Sequence, residues 1–246
     1  MIAADLRVSA DVHDLALSAA GAVAQRLVDA VRRQGSAAIA LSGGRTPQGL
    51  YRQLAARHRD DIPWDRVHFF WGDERCVPPD DVRSNFRMAR ESLIDALPVP
   101  PEHVHPMLTD LAPEPAADAY ERTLRSRFAT EWPQFDLVLL GVGDDGHMAS
   151  LFPGAPALQE SRRWVVATTA PVEPHDRLTL TLPAVTHAEA IYVLAAGRSK
   201  AEAIRCGLAA EPNARCPVSF IRTARGPIVW WLDDEAAAHV IPENHS

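Results

Sequence analysis

Short, nearly continuous apolar runs separated by helical stretches constrain this chain more than any other feature. Ala37-Ala-Ile-Ala-Leu-Ser42, Val67-His-Phe-Phe-Trp71, Leu137-Val-Leu-Leu140 and Ile191-Tyr-Val-Leu-Ala-Ala196 are such runs, the pattern of strands covered on both faces. Leu15, Ala19, Val23, Leu27 and Val31 recur at helical spacing over about residues 11–33, with Gly35 as the stop. Further helices are expected from Ser84, as a cap, to about Leu97, over residues 116–128, over residues 199–208, and briefly from Asp233. Residues 164–168, 178–182 and 227–231 read as additional strands. Strands alternating with helices imply βαβ units. The expected fold class is α/β, a mainly parallel, doubly wound, Rossmann-like sheet with helices on both faces. The Pro-rich piece from Pro98 to Pro115 reads as a connector. No repeat or linker divides the chain, so residues 1–246 are expected to form one domain.

Composition narrows the function. Hydrophobic residues make up 47% and charged residues 23%, an ordinary globular balance. The formal charge of −7 argues against a protein that coats nucleic acid. An anionic ligand must then be met by a local cluster of Arg, Lys and backbone amides. Cys76, Cys206 and Cys216 form no C-x-x-C pair, and an odd number at wide spacing argues against a disulfide framework or zinc site. The start, Met1-Ile-Ala-Ala-Asp-Leu-Arg7, lacks a charged segment followed by an apolar one, and no apolar run reaches bilayer length. The expected setting is a reducing cytoplasm, with no membrane, nucleic acid or metal as partner.

Three loops at strand ends carry chemistry. The run through Leu140 empties into Gly141-Val-Gly-Asp-Asp-Gly-His147, and open α/β sheets place ligands at such ends. Glycines admit positive φ and close approach, while histidine is the side chain whose ordinary pKa lies nearest neutrality. Gly141, Gly143 and Gly146 also fit a dinucleotide fingerprint. However, Phe152-Pro-Gly154 cuts the required helix short, and no clean acid for a ribose follows near Glu160-Ser-Arg-Arg163. His147 with Asp145 two positions earlier suits an oriented general base, against the bland reading of a packed structural histidine.

Ser42-Gly43-Gly44-Arg-Thr46-Pro47 joins a strand to a helix that Thr46 would cap. Successive amides there can cradle an anion; the bland reading is a tight turn that needs glycine. It is no Walker P-loop, for lack of a lysine at the required offset. In Gly72-Asp73-Glu-Arg75, Arg75 can clamp a phosphate and Asp73 can hold a hydroxyl or orient a catalytic group; alone, the segment reads as a solvated acidic turn. Arg177 and Lys200 stand at element ends and would add positive charge, or simply face solvent. His58, His103, His105 and His187 show no ligand spacing.

Taken together, Ser42–Pro47, Trp71–Arg75 with Ser84-Asn85, Gly141–Gly154, and Arg177–Pro183 with Gly197-Arg-Ser-Lys200 resemble the 6-phosphogluconolactonase family, in order and over nearly the whole chain. The resemblance implies a fold shared with glucosamine-6-phosphate deaminases. It also implies hydrolysis of a sugar-phosphate lactone, 6-phospho-D-glucono-1,5-lactone, without a cofactor, by a monomer or homodimer. It casts His147, Asp145 and Asp73 as catalytic. Ser42, Gly43, Gly44, Thr46, Arg75, Asn85, Gly143, Arg177 and Lys200 become substrate and phosphate ligands. Sibling deaminases carry Asn-Glu-Pro where this chain has Leu-Phe152-Pro, which favours a lactonase. The alternatives are a sugar-phosphate isomerase or deaminase on the same scaffold, and a non-catalytic sugar-phosphate sensor.

Overall fold

The structure, a computed structural model, describes residues 5–240. The first four residues of the Met1–Arg7 reading and both ends of the expected 1–246 domain lie outside the described residues. The expected first helix is α1 (Val12–Gln34). The Asp11 carboxylate accepts from the amides of His13 and Asp14, and Gly35 ends the helix at φ 82°. Strands β2 (Ala37–Leu41), β3 (Val67–Trp71), β5 (Leu137–Gly141), β8 (Ile191–Ala195) and β9 (Ile228–Asp233) form a parallel sheet with β1 (Asp5–Ser9), in the order β1-β9-β8-β5-β2-β3. β2 and β8 are buried along their whole length, as strands covered on both faces must be.

Successive strands β1, β2 and β3 step one way across this sheet, and β3, β5, β8 and β9 step back. Right-handed crossovers put the two sets of connections on opposite faces. On one side α1 packs against α2 (Arg45–Arg57). The direction reverses between the neighbours β2 and β5, so their outgoing chains part and leave a crevice at the strand ends.

The structure departs from the sequence expectations in five places. Residues 73–75 are no turn: Asp73–Arg75 is β4, which joins β7 (Asp176–Leu180) and β6 (Val165–Thr169) in a separate antiparallel sheet. Only Gly72 separates β4 from β3, and its carbonyl accepts from the amide of Leu180. The edge strand β1 was not anticipated; it is held by register with β9. The segment after Asp233 is a run of turns rather than a helix, because the Asp233 carboxylate bonds the amides of Ala236 and Gly197 and so ties two strand ends together. The helix capped by Ser84, α3 (Asn85–Ser92), breaks at Leu93, and α4 (Pro113–Arg127) starts earlier than expected, with proline in its first turn. α5 (Leu182–Thr186) and α6 (Ala201–Gly207) complete the α-helices of the described residues.

Candidate active site

A cleft of about 370 Å³ opens over the carboxyl ends of β8, β5, β2 and β3, four neighbours in the sheet. That volume lies in the range of small-molecule sites. It is lined by Ser42, Gly43, Gly44, Thr46, Asp73, Arg75, Asn85, Gly143, His147 and Lys200, with Leu194 to Ala196 as an apolar wall. Residues spread over most of the chain therefore meet at the point where the winding reverses.

The β2 end leads through glycines into the start of α2. The N-cap of α2 is Gly44, at φ 102°, and no side chain caps the helix. Thr46, expected as the cap, lies inside the first turn, so the amides at the helix start face the cleft. Ser42 has a structural task. Its hydroxyl accepts from the Gly141 amide at 3.0 Å, and the Tyr51 hydroxyl donates to its carbonyl at 2.8 Å while accepting from its amide at 2.9 Å. These bonds lock the two strand ends on either side of the crevice.

The β5 end presents the imidazole. Nδ1 of His147 lies 2.6 Å from Oδ1 of Asp145, which also accepts from the His147 amide at 3.1 Å. With Nδ1 engaged, Nε2 is the nitrogen left for the cleft. The Phe152 ring packs 4.6 Å from the imidazole. Gly143 is a necessity here, since a Cβ would collide with the His147 ring. Asp145 supports the ring from behind and does not line the cleft. Asp136, at the opposite end of the strand, accepts from the Ala38 amide and from Arg33, tying β5 to its neighbours.

β4 brings the remaining polar groups. Asp73 is buried; its Oδ2 accepts from the Ser150 hydroxyl at 2.7 Å and its Oδ1 from Nδ2 of Asn85 at 3.3 Å. The Asn85 side-chain oxygen is buried without a partner and faces Gly43. Ala149, between His147 and Ser150, sits in the left-handed region at φ 48°, a strain of about 1 kcal/mol or more for a residue with a Cβ. The bonds of Ser150 to Asp73 and Thr179 hold it there. Next to Asp73, the Glu74 carboxylate caps α3, accepting from the amides of Asn85 and Phe86. Burial pushes its pKa up.

Arg75 lines the cleft and donates to the Arg83 carbonyl, while its buried Nε has no partner. Directly opposite it in the sheet stands Arg177, whose pKa is lowered by burial and then by Arg75. Arg177 donates to the Pro174 carbonyl at 2.8 Å and does not line the cleft. Arg177 thus stands in a second row behind Arg75, because the antiparallel register seats it one strand further out. Like charges opposite one another are unfavourable, an arrangement that an anion at Arg75 would relieve. Across the mouth, Nζ of Lys200 is 2.6 Å from Oδ1 of Asp144, which also accepts from Ser199. Sequence reasoning assigned nothing to Ser150 or Ala149; neither carries a spacing signal, since their partners lie on β4 and β7.

Fold and site together define an open α/β protein with an uncapped helix start and an oriented imidazole at its switch point. Residues 10–230 match the family described as glucosamine-6-phosphate isomerases/6-phosphogluconolactonase, and the chain belongs to it. It is 42% identical to a 6-phosphogluconolactonase of Synechocystis sp. over 89% of this chain and 91% of that one. It is 38% identical to one of Streptomyces coelicolor, over 96% and 94%. The solved 6-phosphogluconolactonase from Trypanosoma brucei superposes with a TM-score of 0.89 at 30% identity, covering 98% of this chain and all of that one. A monomeric glucosamine-6-phosphate deaminase, at 23% identity and TM-score 0.80, shares the fold.

Proposed function

We propose that this protein hydrolyses 6-phospho-D-glucono-1,5-lactone to 6-phospho-D-gluconate, the lactone step of the oxidative pentose phosphate pathway, with His147 as general base. The relatives support the substrate. The observation that carries the mechanism is the position of His147: held by Asp145 at 2.6 Å, on the wall of the cleft that also contains the α2 amides, Arg75 and Lys200. The phosphate docks on Gly43, Gly44 and the start of α2, flanked by Arg75 and Lys200, and the sugar then extends toward the imidazole. Fixing the distal carbonyl against the base is a proximity effect.

Nε2 of His147 takes a proton from a water as the oxygen attacks C1. Asp145 stabilises the imidazolium, and collapse of the tetrahedral intermediate returns the proton to the departing ring oxygen. General-base assistance of this kind is worth about 10²–10⁴-fold. Asp73 and Asn85 hold sugar hydroxyls. A lactone is an activated ester, so water, a base and an anion cradle suffice without a cofactor. Phe152 against the imidazole favours this reading over a deaminase, whose resembling motif has a glutamate there.

No helix of the described residues is long and apolar enough to cross a membrane. The reading is of a cytoplasmic enzyme acting as a monomer or homodimer. The two sheets are read as one domain, joined through Gly72. The deciding experiment supplies freshly generated lactone and reads 6-phosphogluconate with a coupled dehydrogenase, against the spontaneous rate in buffer. Acceleration is expected. A rate equal to buffer, or ammonia released from glucosamine 6-phosphate, would overturn the proposal.

A further inference from the structure

Behind the cleft runs a second groove of about 740 Å³. One wall is the end of β6 with the residues after it, Ala167 to Pro171; the other is the loop from Phe152 to Ala157. Among the described residues, Asp145 is the one ionisable side chain that lines it. Phe152, which packs on the imidazole, belongs to its wall as well. Groove and cleft therefore share a partition, with Asp145 and Phe152 on one side and His147 on the other.

β6 is an outer strand of the small sheet, whose order is β4-β7-β6. Bonds at its two ends fix which way its backbone points. The Ala170 amide donates to the His175 carbonyl, and the Trp164 carbonyl accepts from the Thr181 amide, so the even positions face β7. Antiparallel ladders alternate, and Val165, Ala167 and Thr169 turn their N–H and C=O groups outward. The Val165 amide is met by the Glu121 carboxylate at 3.3 Å. The outward groups of Ala167 and Thr169 have no partner among the described residues, and both residues line the groove. Natural edge strands are blunted by charge, proline or bulges; Val165-Val-Ala-Thr-Thr169 has none of these.

We propose that the groove takes an extended segment of a partner protein, added to β6 as a fourth strand of the small sheet with a Lys or Arg at Asp145, and that its occupation slows the enzyme. Free donors and acceptors two residues apart match the period of an extended chain. A strand of about five residues fills a slab roughly 16 Å long, 5 Å wide and 10 Å deep, near the volume of the groove. The 152–157 loop stands where the next strand of a sheet would lie. A lone segment therefore fits, and the β6 edge of a second copy, with its own sheet behind it, does not. Phe152, Pro153, Pro156 and Pro171 supply apolar walls. Charge is complementary too: Oδ1 of Asp145 holds His147, while Oδ2 makes no hydrogen bond and the side chain is 44% exposed. A cation there competes with the imidazolium for the carboxylate's charge.

The probe is the acetylated and amidated peptide Arg-Val-Thr-Val-Thr-Val-Arg, whose two arginines let either strand direction reach Asp145. Expected are saturable binding by calorimetry and exchange of the Ala167 and Thr169 amides slowed about tenfold or more. At unchanged KM, kcat should fall roughly two- to fivefold, about the worth of a largely exposed pair. Methylating the peptide's backbone nitrogens removes its ladder donors and should weaken binding about tenfold or more. Thr169→Pro, which removes an outward N–H from an edge strand, should weaken it as well and leave turnover without peptide unchanged. No saturable binding at millimolar peptide, equal binding of the methylated peptide, or a dimer whose Ala167 and Thr169 amides are already protected would each overturn the proposal. So would binding that leaves kcat untouched. The effect on rate rests on the catalytic reading of His147; the binding does not. Protein inactive on lactone would sink the functional reading, while calorimetry and exchange would still decide the added strand.

Discussion

The carboxylate of Asp144 holds the ammonium of Lys200 at 2.6 Å, so the loop that carries His147 is latched to the start of α6 across the mouth of the cleft. The hydrogen bond and charge of Lys200, with Ser199 beside it, keep Asp144 below the usual carboxylate range. Incoming phosphate therefore competes with a permanent anion for this lysine. Asp144→Asn should lower KM two- to fivefold, about the worth of a largely exposed pair, with kcat within about a factor of two. Steady-state kinetics at low salt measure this. A raised KM would mean that Asp144 orders the loop more than it repels the substrate.

Removing the proposed base should act on the chemical step. His147→Ala should reduce kcat by about 10²–10⁴-fold while 6-phosphogluconate still binds, as read by calorimetry. Asp145→Asn keeps the 2.6 Å contact but not the charge, so its kcat should fall less and its pH–rate profile should move. Near-normal turnover in His147→Ala would remove this residue from the mechanism.

Phosphate recognition is a separate matter. Arg75→Ala should raise KM about tenfold or more, the cost of a lost charge-assisted hydrogen bond, and should weaken inhibition by other sugar phosphates. Arg177→Ala should have a smaller effect on KM, because Arg177 stands behind the cleft. Equal effects of the two substitutions on KM would put Arg177 in direct contact with substrate.

Much of this site was legible in the sequence because its parts are local. The Ser42–Thr46 turn, the Gly141–His147 loop and the β-runs feeding them announce themselves by glycine and by continuous apolar residues. What could not be read was long-range. Asp73–Arg75 is too short and too charged to signal a strand, and only pairing with Asp176–Leu180 makes it one. That pairing also sets Arg177 opposite Arg75, one strand further from the cleft. β1, with its partly exposed Leu6 and Arg7, likewise exists through its register with β9.

Asp73 depends on Ser150. The 2.7 Å bond from the Ser150 hydroxyl is one of two side-chain donors to a buried carboxylate. Ser150→Ala leaves that oxygen unpaired at a cost of about 1–3 kcal/mol, which should lower the melting temperature by roughly 2–4 °C per kcal/mol. It should also relax Ala149 from its left-handed conformation. Calorimetry gives the first quantity; an unchanged midpoint would mean that water replaces the hydroxyl.

A final prediction concerns acid. At the β3 edge of the main sheet, the ring of His68 lies tilted 3.9 Å from that of His103, and its Nδ1 is 3.1 Å from Nε2 of His105, which lies over Phe70. Burial first, then His103 and Arg127, hold both His68 and His105 down to about 4, from an ordinary 6.5. Unfolded imidazoles take up protons near 6.5, whereas these two resist until about 4. Over that window the unfolded chain binds more protons, so stability must fall as pH drops through it and be unaffected by these groups above it. His68→Phe with His105→Phe removes both titrations while keeping flat rings against Phe70. Its melting temperature should fall less steeply than that of the parent between pH 6.5 and 4. Parallel slopes would mean that these histidines are protonated in the folded protein already, and that the cluster opens without cost to the sheet.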